Sequence, residues 1–280
     1  MTDNKPSQTT LIASASILLL RDGPGGLEVL MQQRHEAVGD FSGALTFPGG
    51  KVVPADSSAA VRARADGGET HSDDELAFAA SAVRETFEEC GVLLARQAAT
   101  GPLIGGNTVT DTFADRPVLD AEELALGDFL VKHDLRLALD RITPWSHWIT
   151  PVFAPRRYDT WFYVAALPDG QVADAESGET AEMIWIRPQA AVDAAEAGER
   201  SLYLATRLNL LELIPFATTD DVLAHARCKD IRVAQPERVK AADGAYLMRL
   251  EEEAGYGVWE VPVAVAMGQK PLRPASTPAA

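Results

Sequence analysis

Residues 72–91 leave the chain little choice of local structure. Ser72 stands three residues before Glu75, the spacing of a capping box at a helix start. Asp73 and Asp74 add negative charge where the positive end of a helix dipole lies. Leu76, Ala79, Ala80, Val83 and Phe87 recur at helical spacing, and Gly91 supplies the residue that ends a helix in the left-handed conformation. The predicted helix carries Glu85, Glu88 and Glu89 at i, i+3 and i+4, which share one face. Three carboxylates on adjacent turns repel one another. A solvated acidic face is the ordinary use of such a run. Hard cations that prefer oxygen ligands, such as Mg²⁺ or Mn²⁺, are the other. Arg84, four residues before Glu88, is spaced to hydrogen-bond a carboxylate and fix its rotamer.

The rest of the chain punctuates itself with turns. Residues 11–20 form a short apolar run stopped by Arg21-Asp22-Gly23-Pro24-Gly25-Gly26, and residues 27–34 follow as its hairpin partner across a long loop. Residues 44–47 make a third short strand that ends in the Pro48-Gly49-Gly50 turn, with Val52 and Val53 as a further extended piece. Residues 54–71 are small and polar and read as an inserted loop with room for one helical turn. Beyond the helix, residues 98–118 read as loop and 120–139 as a second helix. Residues 148–153, 160–167 and 183–186 read as strands, and 188–197, 202–213 and 220–227 as helices. Residues 238–253 and 257–265 suggest a terminal hairpin.

Strands and helices interleave without a regular period. That predicts an α/β fold with a mixed sheet between helices, rather than a doubly wound sheet or a barrel. Neither Gly-x-Gly-x-x-Gly nor a Walker-type loop occurs. The organisation expected is a flexible tail at 1–10 and a main domain at 11–215 with an insertion at about 54–71. A C-terminal extension at 216–270 packs on the same domain, and 271–280 is a second flexible tail.

Charge argues against one class of partner. The chain has 41 acidic and 25 basic residues, a net charge of −16, so binding duplex nucleic acid is not its expected task. A small phosphorylated ligand can still be drawn by local positive charge and bound metal. Cys90 and Cys228 are no disulfide framework and fit a reducing compartment. The apolar run at residues 11–20 is far shorter than the roughly 20 residues of a membrane-spanning helix. With only Lys5 before it, the run also lacks the make-up of a signal peptide. The expectation is a cytoplasmic protein with no membrane partner.

The run Arg84-Glu85-Thr86-Phe87-Glu88-Glu89-Cys90-Gly91-Val92 resembles the second half of the Nudix box, G-x5-E-x7-R-E-U-x-E-E-x-G-U with U aliphatic. Thr86 stands where an aliphatic residue is usual. Gly50 matches the first glycine, Asp56 takes the place of the early glutamate, and an insertion lengthens the spacing from there to Arg84. Glu75, at the helix start, is the alternative for that early acidic role.

Upstream, Leu30-Met31-Gln32-Gln33-Arg34-His35 and Gly43-Ala44-Leu45-Thr46-Phe47-Pro48-Gly49-Gly50 resemble the coenzyme A diphosphatase signature, L-L-T-x-R-(S/A)-x3-R-x3-G-x3-F-P-G-G. His35 replaces the small residue, and Gly39 stands where the second arginine belongs. The box insertion, Trp145-Ser146-His147-Trp148-Ile149-Thr150-Pro151 and Arg157-Tyr158-Asp159-Thr160 look like the larger branch of this group. That branch includes coenzyme A and acyl-coenzyme A diphosphatases.

The resemblance implies a Nudix α/β/α sandwich with additional C-terminal helices. It implies a metal-dependent hydrolase that cuts a diphosphate linkage, X–P–P–Y to X–P and P–Y. Glu85, Glu88, Glu89 and the Gly50 backbone would hold Mg²⁺ or Mn²⁺, with Glu85, Arg84 and Glu88 as the catalytic set. Arg34, Phe47, Gly49 and Arg157 would contact substrate. The implied substrate is a small-molecule diphosphate: coenzyme A or an acyl derivative first, a dinucleotide or nucleotide sugar otherwise. A homodimer is common among such proteins. The general base is Glu85 or a glutamate of the loop before Met183, namely Glu176, Glu179 or Glu182. A non-catalytic nucleotide sensor is the rival reading, and the three retained glutamates argue against it. Trp145, Trp148 and Trp161 read as packing residues, His147 as a hydrogen-bonded structural histidine and Cys90 as a small packing residue. Arg156-Arg157 reads equally as a solvated turn or a phosphate grip.

Overall fold

The strand that begins at Leu11 organises the molecule, because its two faces feed two different cores. Ala15, Ile17 and Leu19 point into one apolar cluster, and Leu18 and Leu20 into the other. A strand covered on both faces reads as a continuous apolar run, as residues 11–20 do. The computed structural model describes residues 10–34, 43–174, 180–257 and 259–269.

Its strands are β1 (Leu11–Gly23), β2 (Gly26–Arg34), β3 (Leu45–Thr46), β4 (Gly49–Lys51), β5 (Ala65–Asp66), β6 (Ala95–Arg96) and β7 (Arg136–Ala138). They continue as β8 (Thr143–Ile149), β9 (Arg157–Ala166), β10 (Thr180–Ile186), β11 (Val233–Ala234), β12 (Glu237–Lys240), β13 (Tyr246–Leu250) and β14 (Trp259–Pro262). The helices are α1 (Ala59–Ala63), α2 (Asp73–Cys90), α3 (Asn107–Thr110), α4 (Arg116–Asp120), α5 (Leu126–Lys132), α6 (Pro188–Glu196), α7 (Leu204–Leu213), α8 (Thr219–Ala226) and α9 (Val263–Ala266).

The main sheet has the order β10-β2-β1-β9-β8-β11, with β3 on β2 and β4 on β1. β1 and β9 run parallel from the Leu11–Arg157 pair to the Leu20–Ala166 pair, while β1 pairs antiparallel with both β2 and β4. The sheet is therefore mixed. Leu76, Val83 and Phe87 of α2 and Phe129 and Leu130 of α5 close one face. Val192 of α6, Leu208 and Leu213 of α7 and Val222 of α8 close the other. The architecture is the expected α/β/α sandwich.

Helix α2 starts and stops where its capping chemistry predicts. The Ser72 hydroxyl accepts from the Glu75 amide at 3.2 Å, and Glu75 accepts from the Ser72 amide at 2.8 Å. Gly91 has φ +67° and donates to Phe87 O at 2.8 Å. Phe87 packs between the Phe113 and Phe129 rings, with centroids 6.3 and 5.4 Å away. Burying a ring of this size contributes about 1.5–3 kcal/mol, and it fixes the rotation of the helix. Glu88 and Glu89 are therefore buried, with Glu89 turned toward Gln32 of β2 and Gly49 of β4.

Several connections differ from expectation. The β1–β2 hairpin is tight, with Gly23 paired to Gly26, rather than joined by a long loop. The insertion is ordered by its own contacts: a 3₁₀ turn at Pro54–Ser57, then α1, then β5. β5 pairs parallel with β7, and Val61 and Ala65 enter the core. Residues 98–118 hold short helical turns and not only loop. The helix expected over 120–139 is only α5. Asp134 sits at φ +49°, and Leu135 and Leu137 then reach the core from the strand side of that break. At the C-terminal end, β12, β13 and β14 form a three-stranded sheet in place of a simple hairpin. Met248, Leu250, Val261 and Val265 join the same apolar cluster as α6–α8. No described helix is long and apolar enough to cross a membrane.

Candidate active site

Arg84 is the hub of the site. Its Nε donates to Asp56 Oδ1 at 2.8 Å and its Nη2 to Asp56 Oδ2 at 3.1 Å. Its Nη1 reaches Glu85 Oε1 and Glu88 Oε2, each at 2.8 Å. Lys51 O and the Ser81 hydroxyl accept from Nη2 as well. One guanidinium is thus shared by three carboxylates. Burial alone would lower the pKa of Arg84, but the Asp56 hydrogen bond and the charges of Glu85, Asp56 and Glu88 outweigh it and raise it.

Of the two candidates for the early acidic position, Asp56 is the one that meets Arg84. Asp56 is fully buried, accepts from the Val53 amide at 2.9 Å and holds Arg84 in a two-pronged pair. Glu75 caps the exposed start of α2 instead. The insertion between Asp56 and Arg84 loops out through α1 and β5, which brings residues 28 apart in the chain into contact. Thr86 keeps the place of an aliphatic residue by burying its methyl and donating its hydroxyl to Ala82 O of its own helix at 2.7 Å.

The two box glycines lie against the carboxylates. Gly49 N donates to Glu89 Oε2 at 2.7 Å, and Gln32 Nε2 donates to the same oxygen at 2.8 Å. A Cβ on Gly50 would stand 2.4 Å from the Glu85 carboxyl carbon. A side chain there would collide with the carboxylate where it stands, so Glu85 rests directly on the Gly50 backbone. Gly50→Ala is expected to push that carboxylate aside and lower kcat/KM about 10²-fold, because a displacement near 1 Å at a reacting centre costs that much. The comparison is with Lys51→Ala on the exposed neighbour, at unchanged melting temperature. Equal activity in the two variants would show that the contact is not functional.

Burial raises the proton affinity of both glutamates at the hub. Glu88 is pushed up to about 8 by burial, partly opposed by Arg84 and reinforced by the charges of Glu85 and Asp120. Burial raises Glu85 as well, against the pull of Arg84. Asp120, at the end of α4, was not singled out by sequence. It sits in the acidic run Asp120-Ala121-Glu122-Glu123, which matches no motif, and only the packing of α4 on α2 brings its charge to bear. Among the described residues, no three His, Cys, Asp or Glu side chains enclose a cation as they stand. Arg84 lies between Glu85 and Glu88, and Glu89 is turned to Gly49.

Other sequence-singled residues land elsewhere. Phe47 is not a surface contact: its ring is buried on the face opposite α2, edge-on to Phe162 at 6.2 Å. It anchors the turn that carries Gly49 and Gly50. Arg34 ends β2, and its side chain lies outside what is described. Arg157 opens β9 and donates to Thr150 O at 3.1 Å. Its register partner Leu11 is four residues from Ala15, the partner of Gly50, so Arg157 starts about 13 Å along the sheet from the carboxylates. Glu182 lies on β10 opposite Gln33 of β2. It is exposed, paired with Arg200 at 2.8 Å, and Arg200 also bonds Gln33. Glu176 and Glu179 fall outside the described residues, as do His35 and Gly39.

Trp145 and Trp148 are core residues, and His147 stacks on Trp161 with centroids 4.3 Å apart while bonding Asp159 at 2.5 Å. Cys90 is buried, and burial raises its thiol pKa well above the usual range, so it is no thiolate nucleophile.

Comparison with known proteins places this geometry in a family. The NUDT19 Nudix domain family matches residues 61–207, just over half of the chain. An acyl-coenzyme A diphosphatase NUDT19 of Gallus gallus is 29% identical over 79% of this chain and 71% of its own. A putative nudix hydrolase 7 of Caenorhabditis elegans is 29% identical over 65% of this chain and 55% of its own length. The crystal structure of a NUDIX hydrolase from Alicyclobacillus acidocaldarius superposes with a TM-score of 0.67 at 24% identity, over 78% of this chain and 97% of that one, which establishes the shared fold. With the box residues gathered around Arg84 and the sandwich matched, the chain belongs to the NUDT19 Nudix domain family and is a Nudix hydrolase acting on phosphoric anhydrides.

Proposed function

We propose that this hydrolase is a divalent-cation-dependent diphosphatase of coenzyme A or its acyl derivatives, yielding adenosine 3′,5′-bisphosphate and a phosphopantetheine product. The observation that carries the reading is the charge imbalance at Arg84: one cation serves Asp56, Glu85 and Glu88, with Glu89 and Asp120 beside them. The residues fit a hard cation. Every donor is oxygen, and Glu88 Oε1 is buried with no hydrogen-bond partner among the described residues. Arg84 also keeps Asp56, Lys51 O and the Ser81 hydroxyl as acceptors, so it can release the glutamates without being stranded.

In this reading Glu85, Glu88, Glu89 and the Gly50 backbone hold Mg²⁺ or Mn²⁺. The cation would neutralise the diphosphate and acidify a water. Arg84, held by Asp56, sets the carboxylate rotamers. Water adds to phosphorus, the P–O–P bond breaks toward the leaving phosphate, and the water's proton passes to Glu85, whose carboxylate Arg84 orients. Arg34 and Arg157 contact the substrate, and the Gly49 amide joins them once Glu89, which accepts from it here, turns to the cation. Residues 11–215 form the catalytic unit, and 216–270 extend the core on the face away from α2, a division supported by their shared apolar cluster. The described activity of the Gallus gallus relative supports the substrate class.

The test is a panel of free coenzyme A, short- and long-chain acyl forms, a dinucleotide and a nucleotide sugar, each with Mg²⁺ or Mn²⁺. Coenzyme A forms are expected to turn over at least tenfold faster than the rest, and chelation is expected to remove activity that either cation restores. Preference for the nucleotide sugar or dinucleotide would overturn the substrate, and chelator-resistant turnover would overturn the cation.

A further inference from the structure

An open groove of about 280 Å³ runs beside Arg84, between the inserted segment and the stretch after α4. Residues 53–55 form one wall and residues 124–126 the other, with Leu119 and Arg84 buried at its base and Glu122 exposed at its rim. We propose that this groove takes the apolar arm of the substrate, an acyl chain carried as a thioester, so that its width decides which acyl forms are cleaved. The inference rests on the reading under Proposed function and adds the specificity site to it.

Proximity comes first. Arg84 lines the groove and hydrogen-bonds Asp56, Glu85 and Glu88, so the groove lies one side chain from the carboxylates, and the flexible phosphopantetheine arm folds back to bring the thioester's chain to it. Chemistry comes second. Apart from Arg84 and Glu122 the lining is apolar, and no polar side chain stands there to read a base or a sugar. Charge comes third. Glu122 at the rim and Asp120 next to Leu119 disfavour a phosphate, so the uncharged half of the substrate is the part that fits. Size comes fourth. At about 280 Å³ the groove lies just below the roughly 300–1,000 Å³ that enclose a whole ligand, as suits one arm of a larger molecule.

The two walls are also locked together. A Cβ on Gly127 would stand 2.6 Å from the Ala60 methyl, so α5 is seated directly on α1. The 124–126 wall lies outside the main sheet and carries no box residue, so it can vary without disturbing the box, whereas Val53 on the other wall donates its amide to Asp56.

Ala125→Trp narrows the groove from an exposed position, and Leu124→Asp puts a charge on its wall. Val131→Trp adds the same bulk to an exposed site of α5 outside the groove. In the full chain with Mg²⁺, the first two are expected to lower kcat/KM for a ten-carbon acyl-coenzyme A at least tenfold while free coenzyme A changes less than twofold. Val131→Trp is expected to change neither. Melting curves within a few degrees of wild type show that the variants are folded, and if Ala125→Trp does not fold, Leu124→Asp carries the test. Equal losses on both substrates, or no loss on either, would overturn the groove assignment. A wild-type chain that cleaves no coenzyme A form would instead overturn the proposed function.

Discussion

Glu88→Gln is expected to lower kcat about 10³-fold, about 4 kcal/mol of transition-state stabilisation, while leaving the metal-free protein as stable as wild type or more so at pH 8. The two effects have one cause. The Glu88 side chain is almost wholly buried, and its carboxyl is pushed from 4.5 up to about 8 by that burial. A carboxyl with a raised folded pKa stays protonated in the folded chain while its unfolded counterpart ionises. Its contribution to stability is therefore full below about 4.5 and falls as pH rises toward 8. Glutamine cannot ionise, so the variant escapes that loss and its melting temperature no longer declines over this window on Glu88's account. A structural carboxylate would behave in the opposite way, because Arg84 would lose a partner and the variant would melt lower. Thermal melts at pH 5, 6.5 and 8 with chelator, set beside turnover with Mg²⁺, separate the two. A variant with near-normal turnover, or one that melts several degrees below wild type at pH 8, would sink the functional assignment.

Helix α2 was legible because everything that defines it is local. Its cap, its apolar spacing and its terminal glycine lie within twenty residues, and each acts through hydrogen bonds or burial that the sequence order already brings together. The run at β1 was legible for the same reason. Asp56 was only half legible. Motif spacing named it, but no local rule says that α1 and β5 fold outward and return the chain so that Arg84 meets it 28 residues later. Leu135 and Leu137 were misread because two leucines spaced by two fit a helix edge as well as a strand. The positive φ of Asp134 makes the difference, and that depends on tertiary packing. Phe47 was assigned to the substrate by motif, whereas its place in a strand-turn buried on the far face decides its use. Asp120 and the groove beside it carried no sequence signal, since they exist only where α4 and α5 pack against α2 and α1.

Arg84→Met is expected to cost about 3–5 kcal/mol of stability and to abolish turnover. Methionine fills most of the space but leaves Asp56 buried without its counter-charge and with no route to water, and it takes from Glu85 and Glu88 the donor they share. At a chain length near 280 residues that corresponds to a melting temperature lower by roughly 6–20 °C. Lysine would not rescue it, because the hub needs a planar donor that meets Asp56 with two nitrogens and still reaches two glutamates. The partner substitution Asp56→Asn is expected to return about half of the loss when combined with Arg84→Met, since it removes the most deeply buried of the stranded charges, and a double-mutant cycle would report that coupling. Divalent cation is expected to raise the melting temperature of Arg84→Met by more than that of wild type, since the carboxylates it would engage no longer compete with a guanidinium. Activity is not expected to return in the double variant, because stability can be regained by removing charge whereas the carboxylate rotamers need Arg84 itself. If Arg84→Met instead lies within about 1 kcal/mol of wild type, the three carboxylates are protonated or solvated without it, and the hub is not what holds the site in shape.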